Sequence, residues 1–248
     1  MSAEYDRFTR QYQLSKRLPF RIFSEIPDHL ALLGDVTGLS VLDLACGDGF
    51  YTRRIQKAGA ARVVGVDLSE GMIALARQQE AAEPLGVTYL VSPVETLGPI
   101  GPFEVVSAAF LLNCAPTRPS LSAMAQTIAA NLEPGGRFVT TNSHLSDWPG
   151  VDYSPYGMAS DATAPLADGA LYHITFLLDD DKDRFTIENF AHSRAAYEAA
   201  LREAGLTDIH WHPPRVTEDG LAAFGPEFWH VYLTYPPLLR LSAIRSAT

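Results

Sequence analysis

The sequence predicts an α/β fold built on a mostly parallel sheet with helices on both faces. Short apolar runs of strand length recur between residues 40 and 141, and segments whose apolar residues are spaced by three or four alternate with them. The first of these runs also ends in the tight turn Gly47-Asp48-Gly49, which opens directly into a helical segment. A chain of 248 residues with 47% hydrophobic residues is long enough for one elaborated domain with a sizeable core.

From Asp6 to Leu33, apolar residues including Phe8, Tyr12, Leu18, Phe20, Phe23, Ile26 and Leu30 follow a mostly three-to-four spacing. Pro19 and Pro27 are expected to divide this lead-in into short helices. Ser40 to Ala45 then reads as a buried strand, Phe50 to Ala58 as a helix, Arg62 to Val66 as a second strand and Glu70 to Glu83 as a second helix. Val87 to Val91 and Phe103 to Phe110 give the third and fourth strands, Arg118 to Leu132 a helix, and Gly136 to Thr141 the fifth strand. The rhythm breaks after Asn142: residues 143–192 are rich in Tyr, Asp, Pro and Gly, and read as an insertion. Within it Ala170 to Leu178 and Arg184 to His192 alternate as an antiparallel hairpin turning at Asp179-Asp180-Asp181. A helix from Ser193 to Ala204, a strand from Thr207 to His212 and a final strand from Glu227 to Tyr235 complete the expected sheet. The organisation is thus one domain: a helical lid (1–37), a ligand-binding core (38–142), a substrate-side insertion (143–192) and the C-terminal part of the sheet (193–248).

A formal net charge of −10 and a pI near 5.1 oppose binding to nucleic acid or anionic lipid, and no basic cluster offsets them. No apolar run reaches membrane-spanning length and the N-terminus lacks a signal-peptide core, so a cytoplasmic protein is expected, as monomer or homodimer. The two cysteines, Cys46 and Cys114, show neither disulfide nor metal spacing; Cys46 is expected to be packing rather than a nucleophile. His210-x-His212 lacks adjacent carboxylate partners, so no metal is expected.

In open α/β sheets, ligands bind beyond the carboxyl ends of the strands, where a glycine turn brings backbone N–H groups and a helix N-terminus close to the ligand. Asp43-Leu44-Ala45-Cys46-Gly47-Asp48-Gly49 lies at that place. Thr52 occupies the position of the third glycine of a dinucleotide fingerprint, which argues against a pyrophosphate and a nicotinamide cofactor. Asp67 ends the second strand about twenty residues on, where a carboxylate accepts the hydroxyls of a ribose. A nucleoside with a small charged tail, such as S-adenosylmethionine, fits better than a dinucleotide.

VLDLACGDGFYTRRI, VVGVDLSEGMIALA and Leu132-Glu133-Pro134-Gly135-Gly136-Arg137-Phe138 resemble the sequence motifs of class I S-adenosylmethionine-dependent methyltransferases. The resemblance covers roughly residues 38–142. It implies a Rossmann-like fold with a mostly parallel seven-stranded sheet and an antiparallel last strand. It also implies S-adenosylmethionine as cofactor, with Asp43 and the Gly47 backbone holding the methionine ammonium, Gly49 allowing close approach, Asp67 taking the ribose, and Leu68 and Met72 flanking the adenine. Pro93 stands where many relatives carry an adenine-binding Asp, which leaves the Val94 N–H as the contact; Ala45, Glu95, Phe110 and Tyr12 complete the cofactor set.

A narrower resemblance, carried by Gln11-Tyr12-Gln13-Leu14-Ser15-Lys16-Arg17-Leu18-Pro19-Phe20-Arg21 and ACGDGFYTRR, is to toxoflavin-synthase-type enzymes, which N-methylate heteroaromatic nitrogens. It implies methyl transfer to a ring nitrogen of a small-molecule secondary metabolite. O- or C-methylation and a catalytically silent cofactor-binding partner protein are the alternatives. Tyr5, Asn113, Asn142, Trp148, Tyr153, Tyr156 and Phe176 are the candidate substrate residues, and His144, just past the fifth strand, the candidate catalytic base.

Overall fold

In the computed structural model, which describes residues 9–178 and 184–247, the main sheet has seven strands in the order β3-β2-β1-β4-β5-β10-β9. The strands are β1 (Ser40–Leu44), β2 (Arg62–Asp67), β3 (Thr88–Val91), β4 (Phe103–Ala109), β5 (Leu132–Ser143), β9 (Leu206–His212) and β10 (Leu238–Arg245). The first five are parallel, and β10 is antiparallel to both β5 and β9. The chain winds outward from β1 to β3, then returns to β4 on the other side of β1. That reversal opens a crevice between the carboxyl ends of β1 and β4, where ligands of such sheets bind.

Helices cover both faces, as continuous apolar strands require. Before β1 lie α1 (Thr9–Ser15) and α2 (Ile26–Leu33), joined through a π-helical turn at Arg21–Glu25. Next come α3 (Phe50–Lys57), α4 (Glu70–Ala82), α5 (Arg118–Asn131), α6 (Arg194–Glu203) and α7 (Glu218–Thr234). Four of the helix starts are legible from their caps: the side chains of Ser69, Thr117, Ser193 and Thr217 accept from the N–H of Met72, Ser120, Ala196 and Gly220. Each such cap contributes about 1 kcal/mol. One core joins Leu42, Val64, Val106, Ile128 and Phe138 beneath α5 and α6, and a second joins Val41, Ile55, Val63, Ile73 and Val105 on the opposite face.

Three expectations are corrected. Glu227 to Tyr235 is not a strand but the second half of α7. Gly225 (φ +78°) ends one helical stretch and Pro226 starts the next, the N-terminal place where a missing N–H costs nothing. Trp229 and Tyr232, three residues apart, are the buried pair, so the aromatic run has helical and not alternating burial. The sheet is completed instead by Leu238–Arg245, whose Leu239, Leu241 and Ala243 face the first core.

Pro27 does not divide the lead-in. An α-helix would leave the Phe23 carbonyl without the N–H that Pro27 lacks, but here the Thr217 N–H donates to it at 2.8 Å, while Ile26 N–H bonds back five residues to Arg21. The helix therefore runs through, anchored to α7. Thirdly, the insertion holds three strands, not two: β6 (Met158–Ser160), β7 (Leu171–Phe176) and β8 (Phe185–Phe190) form an antiparallel sheet. The expected turn Asp179-Asp180-Asp181 lies outside the described residues, as does Tyr5. A third core of Phe20, Tyr153, Tyr156, Tyr172, Trp229 and Tyr232 binds insertion, lead-in and α7 together.

Candidate functional site

At the crevice the chain encloses a cavity of about 390 Å³, within the size range of small-molecule sites. Its floor comes from the ends of β1, β2 and β4 and the turns after them: Ala45 and Gly47, Asp67 and Leu68, Ala109 and Phe110. Ala45 (φ +56°) and Phe110 (φ +62°) hold left-handed backbone without being glycine, a strain that commonly gathers at ligand sites. Phe110 is kept there by its N–H donating to the Thr141 carbonyl at 2.7 Å.

Asp67 and Gly47 form the polar centre of the floor. The Gly47 N–H donates to Asp67 Oδ2 at 2.8 Å and the Ser69 N–H to Oδ1 at 2.9 Å. A carboxylate has about four acceptor positions, and with the Leu68 N–H also on Asp67 about one remains for a ligand hydroxyl. Burial raises the Asp67 pKa, with backbone bonds from Ser69, Gly47 and Leu68 opposing the shift. A Cβ built on Gly47 (φ +56°) would meet only the Tyr12 ring, at 4.0 Å, so the glycine leaves its upper face open to the cavity. Leu68, Met72, Pro93 and Val94 make an apolar slot on the β2–β3 side, with Glu95 at its edge.

Asp43 and Gly49 serve this floor from below. Thr52 Oγ1 donates to Asp43 Oδ2 at 2.7 Å, and the Ser107 hydroxyl also bonds the carboxyl. Ser107 Oγ lies 3.0 Å from His29 Nε2, and His29 Nδ1 lies 3.0 Å from Thr141 Oγ1. Placing the imidazole proton on Nε2 satisfies this whole chain, which reaches from the turn after β1 to the lead-in. Burial keeps His29 neutral, with its pKa lowered to about 3, and pushes Asp43 up to about 7. Asp43 does not line the main cavity; it lines a small polar recess beside it with Tyr12, Lys16, Arg21 and Tyr51.

Gly49 (φ +82°) likewise lies off the cavity, and its role is corrected accordingly. A Cβ there would stand 2.4 Å from Tyr89 Oη, so the glycine is required by strand packing and turn geometry. Lys16 Nζ bonds Asp48 Oδ1 at 2.5 Å and ties the lead-in onto the same turn.

Asp43 has a consequence for stability. Its folded pKa lies above the unfolded value near 3.9, so its contribution is fully present below about pH 4 and is lost as pH rises toward 7. The melting temperature of Asp43→Asn, relative to wild type, is therefore expected to rise across that window. A difference independent of pH would show that Asp43 ionises as an ordinary carboxyl.

The rest of the cavity lining includes Arg21, Asn113, Cys114, Ser143, Phe176 and Ile187. Of the expected substrate residues, Asn113 and Phe176 are here and four are not. Asn142 is structural: its Oδ1 accepts from the N–H of Leu112 and Asn113 and so shapes the turn after β4. Tyr153 and Tyr156 are core residues, 2% and 1% exposed, whose hydroxyls donate to the carbonyls of Tyr235 and Phe228. Trp148 donates to the Pro236 carbonyl and packs edge-on against Tyr235.

His144 is also displaced from its expected role. It is buried, its N–H donates to the Pro237 carbonyl, and its Nε2 lies 2.7 Å from Asp147 Oδ2. It does not line the cavity and reads as a fastener between β5 and the Pro236-Pro237 corner. Among the described residues no cluster of metal-ligating side chains occurs, and Cys46 is packed in the second core.

Arg21 was not singled out in the sequence. Its signal was a cation on an otherwise apolar stripe between Leu18, Phe20 and Phe23. It is 5% exposed, pairs with the fully buried Glu25 at 3.3 Å, and lines both the cavity and the recess. Tyr51 donates its hydroxyl to the same Glu25.

Residues 41–136 match the methyltransferase domain family. An uncharacterized protein of Haemophilus influenzae is 31% identical over 146 residues, 56% of each chain. The ribosomal protein L11 methyltransferase of Burkholderia multivorans is 36% identical over 100 residues, which are 40% of this chain and 30% of that protein. The chain thus spans about half or less of the length of these curated relatives. An S-adenosylmethionine-dependent methyltransferase from Mesorhizobium loti is similar in structure, with a TM-score of 0.65, 25% identity, and coverage of 93% of this chain and 100% of that one.

Proposed function

We propose that residues 41–136, which match the methyltransferase domain family, act as a class I S-adenosylmethionine-dependent methyltransferase domain and that the chain methylates a small molecule, at a ring nitrogen of a heteroaromatic compound. The observation that carries this reading is the character of the cavity. Asp67 and Gly47 form a polar pair at the ends of β2 and β1, and the part lined by Asn113, Cys114, Ser143, Phe176 and Ile187 holds no histidine or carboxylate base among the described lining residues.

The residues fit the cofactor. Asp67 keeps an acceptor position for a ribose, the bare face of Gly47 admits a ligand against the backbone, and the slot of Leu68, Met72, Pro93 and Val94 suits a flat adenine. When bound, S-adenosylmethionine supplies an electrophilic methyl group on a sulfonium. The protein's part is to align an acceptor for in-line attack and to exclude water. Phe176, stacked on Phe185 at 4.8 Å, offers a rigid aromatic wall for a planar acceptor, and Asn113 Oδ1, buried without a hydrogen-bond partner, offers an acceptor for its N–H.

A ring nitrogen with an available lone pair needs no general base, whereas an alcohol or carbon acceptor usually does. The cavity's carboxylates, Asp67 and Glu95, lie on the β2–β3 side, away from Phe176 and Asn113. Burial raises the Tyr12 pKa, so its phenol stays protonated and offers no base near neutral pH. These features support N-methylation over O- or C-methylation.

Calorimetric titration with S-adenosylmethionine, S-adenosylhomocysteine and NAD is expected to give micromolar binding of the first two and none of the third. An acceptor screen is then expected to show turnover with nitrogen heterocycles. Binding without turnover on any acceptor would favour a silent partner protein, and turnover confined to phenols or carbon acids would overturn the nitrogen assignment.

A further inference from the structure

We infer that Arg21, carried by the lead-in, binds the carboxylate at the amino-acid end of S-adenosylmethionine. The inference rests on the cofactor reading above. Strand order sets the direction in which the ligand runs. Asp67, at the end of β2, takes the ribose, and the apolar slot toward β3 takes the base. The amino-acid end must then leave in the other direction, across Ala45 and Gly47 toward β4. Where it ends, the cavity meets the small recess, and Arg21 lines both.

The recess has the chemistry of a zwitterion site. Asp43 supplies an acid for the ammonium, and Arg21 supplies a buried guanidinium for the carboxylate. The guanidinium carbon lies 5.4 Å from the Phe110 ring centroid, at the end of β4, and 5.7 Å from that of Tyr12. Glu25 engages Nη1 at 3.3 Å and is shared with Tyr51, and the Tyr12 side chain also bonds the guanidinium. The Arg21 Nε–H is buried with no hydrogen-bond partner in the protein. A guanidinium carries five N–H donors and binds a carboxylate through two in parallel, so spare donors in a dry site call for such a ligand. Burial alone would lower the Arg21 pKa, but Glu25, Tyr12 and Tyr51 outweigh it and hold the charge. The lead-in is then part of the cofactor site, not only its cover.

The test compares S-adenosylhomocysteine with 5′-methylthioadenosine, which has the same nucleoside but no amino-acid end. Because Arg21→Met alone strands the Glu25 carboxylate, the variant used is Arg21→Met with Glu25→Gln, checked by its melting curve. Calorimetry is expected to show a loss of about ten- to a hundredfold in S-adenosylhomocysteine affinity, the range for a charged hydrogen-bonded pair, with methylthioadenosine affinity unchanged. Arg21→Lys is expected to fall between, since an ammonium gives the charge without the two-pronged geometry. Equal loss for both ligands, or none for either, would overturn the assignment. If S-adenosylhomocysteine affinity were intact and the acceptor KM rose instead, Arg21 would belong to the acceptor. Failure of the wild-type protein to bind S-adenosylhomocysteine would instead sink the cofactor reading beneath it.

Discussion

Asp67→Ala is expected to lower S-adenosylmethionine affinity by about ten- to a hundredfold. A hydrogen bond from a ribose hydroxyl to a carboxylate contributes roughly 1.5–3 kcal/mol, and every 1.4 kcal/mol is a factor of ten. The substitution also frees the Gly47 and Ser69 N–H groups that the carboxylate now holds at 2.8 and 2.9 Å, so the glycine turn loses its brace. The fold should survive. Burial raises the pKa of Asp67, which means that the charged form is under strain in the free protein, and its removal relieves that strain. Calorimetry together with a melting curve checks both halves: wild-type affinity in the variant would remove the ribose assignment, and a collapse of the melting temperature would assign Asp67 to folding.

The second large effect concerns stability. Trp229→Ala is expected to destabilise the protein by about 3–5 kcal/mol, the range for deleting a large buried aromatic side chain. Trp229 is fully buried, stacks on Tyr156 at 5.8 Å and meets Phe228 and Tyr232 edge-on at 4.9 and 5.6 Å. Its Nε1–H donates to the Gly220 carbonyl at 2.9 Å, bridging the two halves of α7 across the kink at Gly225. For a chain of this size the loss corresponds to a fall in melting temperature of roughly 6–20 °C. A shift below about 2 °C in thermal unfolding would show that the aromatic cluster around α7 is not the packed core described here.

Legibility differed along the chain for physical reasons. Between residues 40 and 141 the strand and helix signals were local, because a fully buried parallel strand must be an apolar run and a helix must carry its own cap. The match of residues 41–136 to the methyltransferase domain family falls on this same stretch. The aromatic run from Phe228 to Tyr235 misled because bulky residues favour strands when read locally, while the Gly225-Pro226 pair restarts a helix and tertiary packing chooses which of them is buried. Pro27 misled because its cost was removed by a hydrogen bond from Thr217, distant in sequence.

The site divides in the same way. Gly47, Asp67, Leu68 and Met72 lie within short, contiguous segments, and their place at the strand ends follows from the chain itself. Asn142, Trp148, Tyr153, Tyr156 and His144 have polar or aromatic groups that could equally serve a ligand or the backbone. Only the fold determines that the carbonyls of Tyr235, Pro236 and Phe228, the N–H groups of Leu112 and Asn113 and, for His144, the Asp147 carboxylate claim them. Arg21 is the converse case, since a cation on an apolar helix acquires meaning only when the helix folds back over the β1 turn.

What the sequence by itself determined is therefore the α/β core, the glycine turn and the Asp67 carboxylate at the end of β2, each set by contacts within a few residues. The cavity wall at Phe176 and Asn113, the recess and the last strand were decided by the tertiary structure, because each depends on groups brought together from segments far apart, whose pairing free energy exists only once the chain has closed.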